Sequence, residues 1–329
     1  MLFKKMNRAA DVAAQRIAEG FPMEGSDWIP KDATDPVVIE ESAEAEIAPD
    51  ESLKEKIFSI FRHNKLALVS AIIIIVFCLA TIFAPIVAPC DPYVQSLSDR
   101  LDGPSAEHWL GTDSYGRDVF SRMLYGGRVS LLVGLIPTAI SMVIGTALGL
   151  IAGFIGGKVD AVIMRIADVL MAFPSLLLAM LISYTIGNGL LTIFIALSFV
   201  SWAGTARVVR SEVLSLREKE YVEAATSIGV KRSKIIIRHI LPNCIPTLIV
   251  LFTMNVPGNI LTESSLSFLG IGAQPPSTSW GLMVYQSKKF LSTTPVATLS
   301  PGIMILILVV AFNFLGDALR DKLDPSLKD

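Results

Sequence analysis

The side chains that most often perform chemistry are few in this sequence and widely spaced. Three histidines and three cysteines lie singly along the chain: His63, His108, His239, Cys78, Cys90 and Cys244. None of them shows the short Cys-to-Cys or His-to-His spacing of typical metal sites. We therefore expect no metal site and no disulfide framework. We interpret the cysteines as small apolar residues and the histidines as structural residues.

Residues 152–159, AGFIGGKV, approach a phosphate-binding loop without matching it. Ala152 replaces the first glycine, and Val159 stands where a serine or threonine would hold magnesium. The chain also has no Gly-x-Ser-x-Gly nucleophile motif. We therefore expect that the chain binds no cofactor and is not an enzyme. A net charge of −2 gives no indication of a nucleic-acid partner.

Two acids fall within or beside long apolar runs, where a carboxylate is costly and often functional. Asp168 follows Arg165 by three residues, and we expect the two to pair. Glu263 lies near one end of its apolar run. It is a candidate for lining a transport pathway, and the alternative is a hydrogen bond at the end of a helix.

The polar stretch EYVEAATSIGVKRSKIIIRHILPN, residues 220–243, interrupts this apolar sequence. It predicts a helix over about 217–228, a turn at Gly229 and a second helix over about 233–241 that Pro242 ends or kinks. Ala224 and Ala225 leave one face of the first helix thin, which suits insertion into a groove on another protein. A plain structural loop is the alternative. DNA binding is disfavoured because the segment is short and lies between apolar runs.

The elements around this stretch are predicted to be membrane spans, since the chain is 52% hydrophobic and only 18% charged. A bilayer core needs roughly 20 apolar residues in a helix. Six runs fit that length, the fourth of them least well: 66–88, 129–155, 166–187, 190–206, 245–268 and 299–318. The predicted fold class is therefore an all-α polytopic membrane protein with six transmembrane helices in a permease domain, 66–325.

The segments between the spans are assigned by charge. Burying residues 207–242 would cost on the order of 30 kcal/mol, at about 2.5–3.5 kcal/mol for each charge. With both termini in the cytoplasm, 22 of the 28 lysines and arginines are cytoplasmic. Residues 207–244 are then a cytoplasmic loop, and residues 90–128 an extracytoplasmic loop. Residues 1–51 are predicted to be a polar, largely disordered leader, and residues 52–65 an interfacial elbow helix.

Three stretches resemble the permease subunits of bacterial ABC importers, in the branch for peptides and nickel. The first has the spacing of the EAA loop of these permeases, with histidine in place of the general isoleucine. Its matched positions are Glu223, Ala224, Ala225, Gly229, His239, Leu241 and Pro242. The others are HWLGTDSYGRDVFSRMLYGGRVSLLVG, 108–134, and FLGIGAQPPSTSWGLM, 268–283. The likeness covers roughly residues 55–325 and is closest to the C-type subunit of oligopeptide and dipeptide permeases.

The resemblance implies a type I ABC importer permease fold in the plasma membrane and a mechanism of alternating access. Its implied partners are a second permease in a heterodimer, two cytoplasmic ATPases that bind ATP and magnesium, and an extracytoplasmic substrate-binding protein. The EAA loop would be the coupling helix that docks on an ATPase. Asp113, Arg117 and Asp118 are candidates for docking the binding protein, although turn and capping roles are favoured. The substrate would be a peptide; nickel import is the alternative, followed by a stand-alone secondary transporter or a membrane scaffold.

Overall fold

The computed structural model describes residues 53–323, and every regular element among them is helical. The chain enters through α1 (Leu53–His63), α2 (Lys65–Ile82) and the single turn α3 (Ala84–Val87). Asn64 separates the first two helices and caps the second, because its Oδ1 accepts hydrogen bonds from the amides of Leu66 and Ala67 at 3.0 and 3.1 Å. The predicted leader, 1–51, lies outside the described residues.

Nine further α-helices, a π-turn and a 3-10 turn complete the described chain. They are α4 (Val119–Ile155), α5 (Gly157–Ala172), α6 (Ser175–Ile186), α7 (Leu190–Arg217), α8 (Glu220–Ser227), α9 (Arg232–Ile235), the π-turn Ile236–Ile240, α10 (Leu241–Phe268), α11 (Trp280–Ser287), the 3-10 turn Lys288–Phe290 and α12 (Pro295–Leu323). Segments 88–118 and 269–294 meet at one end of the bundle, and segment 218–231 lies at the other. We call these the 88–118 end and the 218–231 end.

Within residues 53–323, five helical stretches are long and apolar enough to cross a membrane, and counting a bent pair as one span gives a sixth. This agrees with the predicted all-α, polytopic fold. The bent pair is α5 and α6, which meet at 91° around Phe173 and Pro174. The sequence predicted one continuous span over 166–187. The break occurs because Pro174 has no N–H and cannot continue the backbone hydrogen bonds of α5.

Several helices extend beyond the predicted spans because charged residues inside them find partners. Helix α4 begins at Val119 rather than at 129, so residues 119–128 are helical and not loop. There Arg128 donates hydrogen bonds to the backbone carbonyls of Thr81 and Ile82 at 2.6 and 2.8 Å. Helix α7 continues to Arg217, so residues 207–217 of the predicted loop 207–244 are helical.

A stripe of glycines joins α4 to α7. A Cβ added at Gly145, Gly149 or Gly153 would lie 2.7–2.8 Å from atoms of α7. The two backbones therefore touch over two helical turns, which only glycine permits. The stripe therefore serves close packing between two helices of the same subunit.

Helix α1 occupies the stretch predicted to be an elbow helix. Its apolar residues Ile57, Ile60 and Phe61 join a cluster with α12, while Phe58 on the opposite side is exposed. Helix α1 is thus fixed to the bundle at the 218–231 end. Its position at a membrane interface stays a prediction.

Candidate functional site

Helix α8 stands at the tip of the 218–231 end and is closed by a glycine turn. Gly229 has φ of +79°, a left-handed conformation that other residues adopt only with strain. The Gly229 amide donates to the Thr226 carbonyl at 3.0 Å, and the Val230 amide donates to the Ala225 carbonyl at 3.1 Å. These two bonds form a Schellman motif, which satisfies carbonyls that the helix end would leave unpaired. The predicted turn at Gly229 is therefore present.

One face of α8 is part of the core of the protein. Val222 is 1% exposed and Ala225 is 7% exposed. They belong to one buried apolar cluster with side chains from α4, α7, α9, the π-turn and α10: Leu150, Val209, Val213, Ile235, Ile240 and Cys244. Helix α8 is thus anchored on the bundle, and a force on it acts directly on these helices.

The other face of α8 is open. Tyr221, Glu223 and Ala224 are exposed, and Ile228 beyond the helix end is 80% exposed. Tyr221, Ala224 and Ile228 follow the spacing of one helix face and form an apolar strip. We call the exposed residues Tyr221, Glu223, Ala224 and Ile228 the α8 face. The sequence placed Ala224 and Ala225 together on a docking face; Ala224 lies there, whereas Ala225 faces inward because it is one helical position further round.

A cleft of about 600 Å³ opens beside the α8 face. Its lining comes from the ends of α4 and α7 and from α8 and α9: Phe154, Ile155, Arg217, Glu223, Thr226, Ser227 and Arg232. The lining combines the carboxylate of Glu223 with two guanidinium groups. It offers charge of both signs to a partner, next to the apolar strip.

The second half of this loop differs from its prediction. The sequence predicts that Pro242 ends or kinks the second helix; instead, α9 passes through the π-turn into α10 without a break in helical structure. Pro242 lies in the first turn of α10, where the lack of an N–H costs little because few hydrogen bonds of the helix begin there. The wide π-turn before it makes room for the proline ring. The half-buried His239 accepts a hydrogen bond at its carbonyl from Asn243 Nδ2 at 2.6 Å. Leu241 packs beside the apolar cluster under α8.

At the 88–118 end, Asp113 is the centre of a buried ion network. Its Oδ2 lies 2.7 Å from Nη2 of Arg117 and 2.8 Å from Nη1 of Arg122. Gln286 Oε1 accepts from both guanidinium groups, at 3.0 and 3.1 Å. Arg122 is 2% exposed. The network therefore ties the 88–118 segment and α4 to α11.

Asp118 also has an internal role. It is 2% exposed and caps α4, accepting a hydrogen bond from the Ser121 amide at Oδ2, 2.7 Å away. Because Asp113, Arg117 and Asp118 are all nearly buried, they offer little surface to a binding protein. Their geometry supports the turn and capping roles that the sequence favoured.

The structure also brings Asp118 next to His108 and Cys90. His108 Nδ1 lies 3.0 Å from Asp118 Oδ1. Burial, together with the negative charges of Asp118 and Glu107, raises the pKa of the Cys90 thiol above its usual range. The sequence predicted no metal site, and its spacing gave no sign of this cluster.

Glu263 is fully buried in α10. Ser267, one turn further on, donates its hydroxyl to Glu263 Oε1 at 2.6 Å. The hydroxyl of Ser267 also accepts a hydrogen bond from the Ala273 amide. Ser267 therefore links the carboxyl group of Glu263 to the segment that follows α10. This position favours the hydrogen bond at a helix end over a place on a transport pathway.

The acids of α5 pair with α7 rather than within α5. Asp168 contacts Arg207, and Asp160 contacts Arg210 through two bonds. The predicted partner of Asp168, Arg165, is therefore wrong. Sequence reasoning missed these pairs because α5 and α7 become neighbours only through the fold.

The comparisons with known proteins cover most of the chain. The family model for the binding-protein-dependent transport system inner membrane component matches residues 145–329. The model for the N-terminal TM domain of oligopeptide transport permease C matches residues 52–104. A chain of the MetNI methionine ABC transporter, solved in inward-facing conformations, superposes with a TM-score of 0.52 at 19% identity. The match covers 61% of this chain and 96% of that one, and it supports the fold alone.

Curated relatives are more similar in sequence. The dipeptide transport system permease protein DppC of Alkalihalophilus pseudofirmus is 45% identical over 271 residues, which are 82% of this chain and 89% of that protein. The oligopeptide transport system permease protein OppC of Bacillus subtilis is 42% identical over 268 residues, 82% and 88% of the two chains. The glutathione transport system permease protein GsiD of Pectobacterium atrosepticum is 41% identical over 269 residues, 82% and 89% of the two chains. The chain thus belongs to the family of binding-protein-dependent transport system inner membrane components, the membrane permease subunits of ABC importers.

Proposed function

We propose that this chain is a permease subunit of an ATP-driven peptide importer and that its α8 face docks on an ATPase subunit. The observation that carries the proposal is the two-sided character of α8. Val222 and Ala225 anchor it on the bundle, while Tyr221, Ala224 and Ile228 leave an apolar strip free for a partner. A helix with one anchored and one free face can receive a force and pass it on.

The peptide substrate is proposed from the relatives. Three similar proteins carry names that refer to dipeptides, oligopeptides and glutathione, which are all peptides. Glu223, the one charged residue of the α8 face, forms no ion pair with the described residues, so its carboxylate is available to a partner. Nickel uptake is the alternative, and the transport assay distinguishes it from peptide uptake.

The proposed assembly contains this chain, a second permease, two ATPases and an extracytoplasmic binding protein. ATP and magnesium would bind in the ATPases, and this chain would bind no cofactor of its own for transport. The 218–231 end would face the cytoplasm with both termini, and the 88–118 end would face outward. The charge bias supports that orientation, since 22 of the 28 lysines and arginines fall on the proposed inner side.

A paired substitution tests the docking step. Ala224→Arg places a charge in the centre of the α8 face, and we expect ATPase association to fall at least about tenfold, because a charge without a partner is costly in an interface. Ser233→Arg is the matched control, since it adds the same side chain at an exposed position in α9. Equal association of both variants with the ATPase would contradict the proposed surface.

Transport is measured in proteoliposomes that contain the complete importer. We expect uptake of labelled dipeptides or longer peptides that depends on ATP and on the binding protein. Uptake of nickel but not of peptides would overturn the substrate assignment while leaving the importer intact. Uptake that continues without ATP would overturn the importer itself.

A further inference from the structure

Three potential metal ligands, at positions 90, 108 and 118, converge at the 88–118 end. The Cys90 thiol follows α3, the His108 imidazole comes from the loop, and the Asp118 carboxylate begins α4. One ligand atom from each lies within 4.8 Å of the other two. We propose that Cys90, His108 and Asp118 form a binding site for a divalent transition-metal ion of the zinc class.

The distances fit such an ion after small shifts. Zinc bonds of about 2.0–2.3 Å in a tetrahedron place neighbouring ligand atoms roughly 3.3–3.8 Å apart. His108 Nδ1 and Asp118 Oδ1 are 3.0 Å apart and would separate by roughly 0.3 Å as the metal replaces their hydrogen bond. The thiol lies on a loop, outside the helices, and can approach the ion without moving the bundle.

The chemistry of the three ligands selects the metal. A thiolate, an imidazole and a carboxylate together suit zinc or a similar ion, whereas calcium and magnesium prefer oxygen ligands alone. Three protein ligands leave one tetrahedral position for water or for an incoming group. The bound ion would therefore be exchangeable.

The surroundings orient the ligands and favour a cation. Ser121 is fully buried and donates its amide to the second oxygen of Asp118, at 2.7 Å. Its hydroxyl accepts from the Cys90 amide at 3.2 Å, so one serine positions two of the ligands. Glu107 acts electrostatically on the Cys90 thiol and so adds negative charge near the site.

A bound ion would fasten the loop to the start of α4. It would link positions 90, 108 and 118 in the segment that leads from the first span to the second. Because only the folded loop brings the three ligands together, the ion would stabilise this end by mass action. The site lies apart from the α8 face, and its occupancy does not depend on the proposed docking of an ATPase.

Cobalt titration of the purified full-length protein tests the site. The protein is prepared without a polyhistidine tag, and Co²⁺ serves as the spectroscopic substitute for Zn²⁺. We expect one equivalent to bind with a thiolate-to-cobalt charge-transfer band, and Zn²⁺ but not Mg²⁺ to abolish the band. The band should be absent in Cys90→Ser and present in Cys78→Ser, the matched thiol control. A band that survives in Cys90→Ser, or no band in the unsubstituted protein, overturns the proposal.

A second measurement needs no substitution at the site. The Cys78→Ser/Cys244→Ser variant keeps Cys90 as its one cysteine. We expect Zn²⁺ to slow its reaction with a maleimide at least tenfold, because the metal and the reagent compete for the same sulfur lone pair. Mg²⁺ should have no effect. Equal rates with and without Zn²⁺ overturn the site.

Discussion

Gly229 gives the sharpest test of how α8 works. The space around it is open: a Cβ added at this position would meet no atom within 4 Å. Any effect of a larger side chain must therefore come from the backbone, whose φ is +79°. A non-glycine residue in this conformation costs roughly 1–2 kcal/mol, and a β-branched residue lies at the upper end.

That cost sets the expected magnitude. A strain of about 1–2 kcal/mol shifts the equilibrium between the closed turn and an opened one by roughly 5- to 30-fold. Opening breaks the hydrogen bonds from Gly229 to Thr226 and from Val230 to Ala225 and so misplaces Ile228 at the tip. We expect Gly229→Val to lower transport per ATP hydrolysed by at most about 5- to 30-fold, the limit that applies when the opened turn becomes the main state. Gly229→Asn should stay close to the unsubstituted protein, because asparagine tolerates the left-handed region.

The assay is peptide uptake and phosphate release by the reconstituted importer, measured on the same vesicles. Gly157→Val is the matched control, since Gly157 also has a positive φ of +60° and open space around its Cβ. It should leave transport per ATP unchanged. Normal coupling in Gly229→Val would refute the reasoning. Equal loss in the asparagine and valine variants would refute it too, because contact rather than backbone conformation would then control coupling.

Four further outcomes are expected. Glu223→Ala should weaken ATPase binding by no more than about fivefold, since exposed ion pairs contribute about 0.2–1 kcal/mol; a much larger loss in an ATPase titration would assign the contact to that carboxylate. Val222→Ala should leave this binding intact while lowering transport per ATP and stability by about 1.5 kcal/mol, at about 0.8 kcal/mol for each buried CH₂. Arg122→Ala should cost about 3 kcal/mol in thermal unfolding, because a buried carboxylate loses one of its partners; an unchanged midpoint would show the network to be dispensable. Gly149→Val should cost about 1–3 kcal/mol through overpacking, whereas Gly204→Ala, at a position with open space, should cost nothing in the same measurement.

The length of the apolar runs made the membrane spans predictable. The predicted bounds failed where charged side chains pair with groups elsewhere in the fold. The bilayer requires long apolar helices, so each predicted run contains helix in the structure. The bounds differ where a charge is neutralised by a distant group. Arg122 and Arg128 made the start of α4 look like loop, yet Asp113 and the backbone at Thr81 accept their hydrogen bonds. Sequence alone does not show such partners.

The candidate site was predictable to the extent that it depends on local rules. The Gly229 turn follows from helix-ending chemistry and could be placed to the residue. The inward orientation of Ala225 depends on which face of α8 meets α7, which is a property of packing. The cluster of Cys90, His108 and Asp118 was hidden for the same reason, because the loop conformation and the cap on α4 bring its members together.

Packing beneath α8 determines how a docking event can reach the rest of the bundle. Val222 and Ala225 are buried among side chains of α4, α7 and α10, so α8 cannot slide without moving those helices. The glycine stripe then holds α4 against α7 with no room for an added methyl group. Close-packed contacts of this kind transmit displacement instead of absorbing it. Helix α4 therefore offers a continuous path for a shift imposed at the 218–231 end, because it extends to its buried start at Asp118, where the ion network of Asp113 joins it to α11.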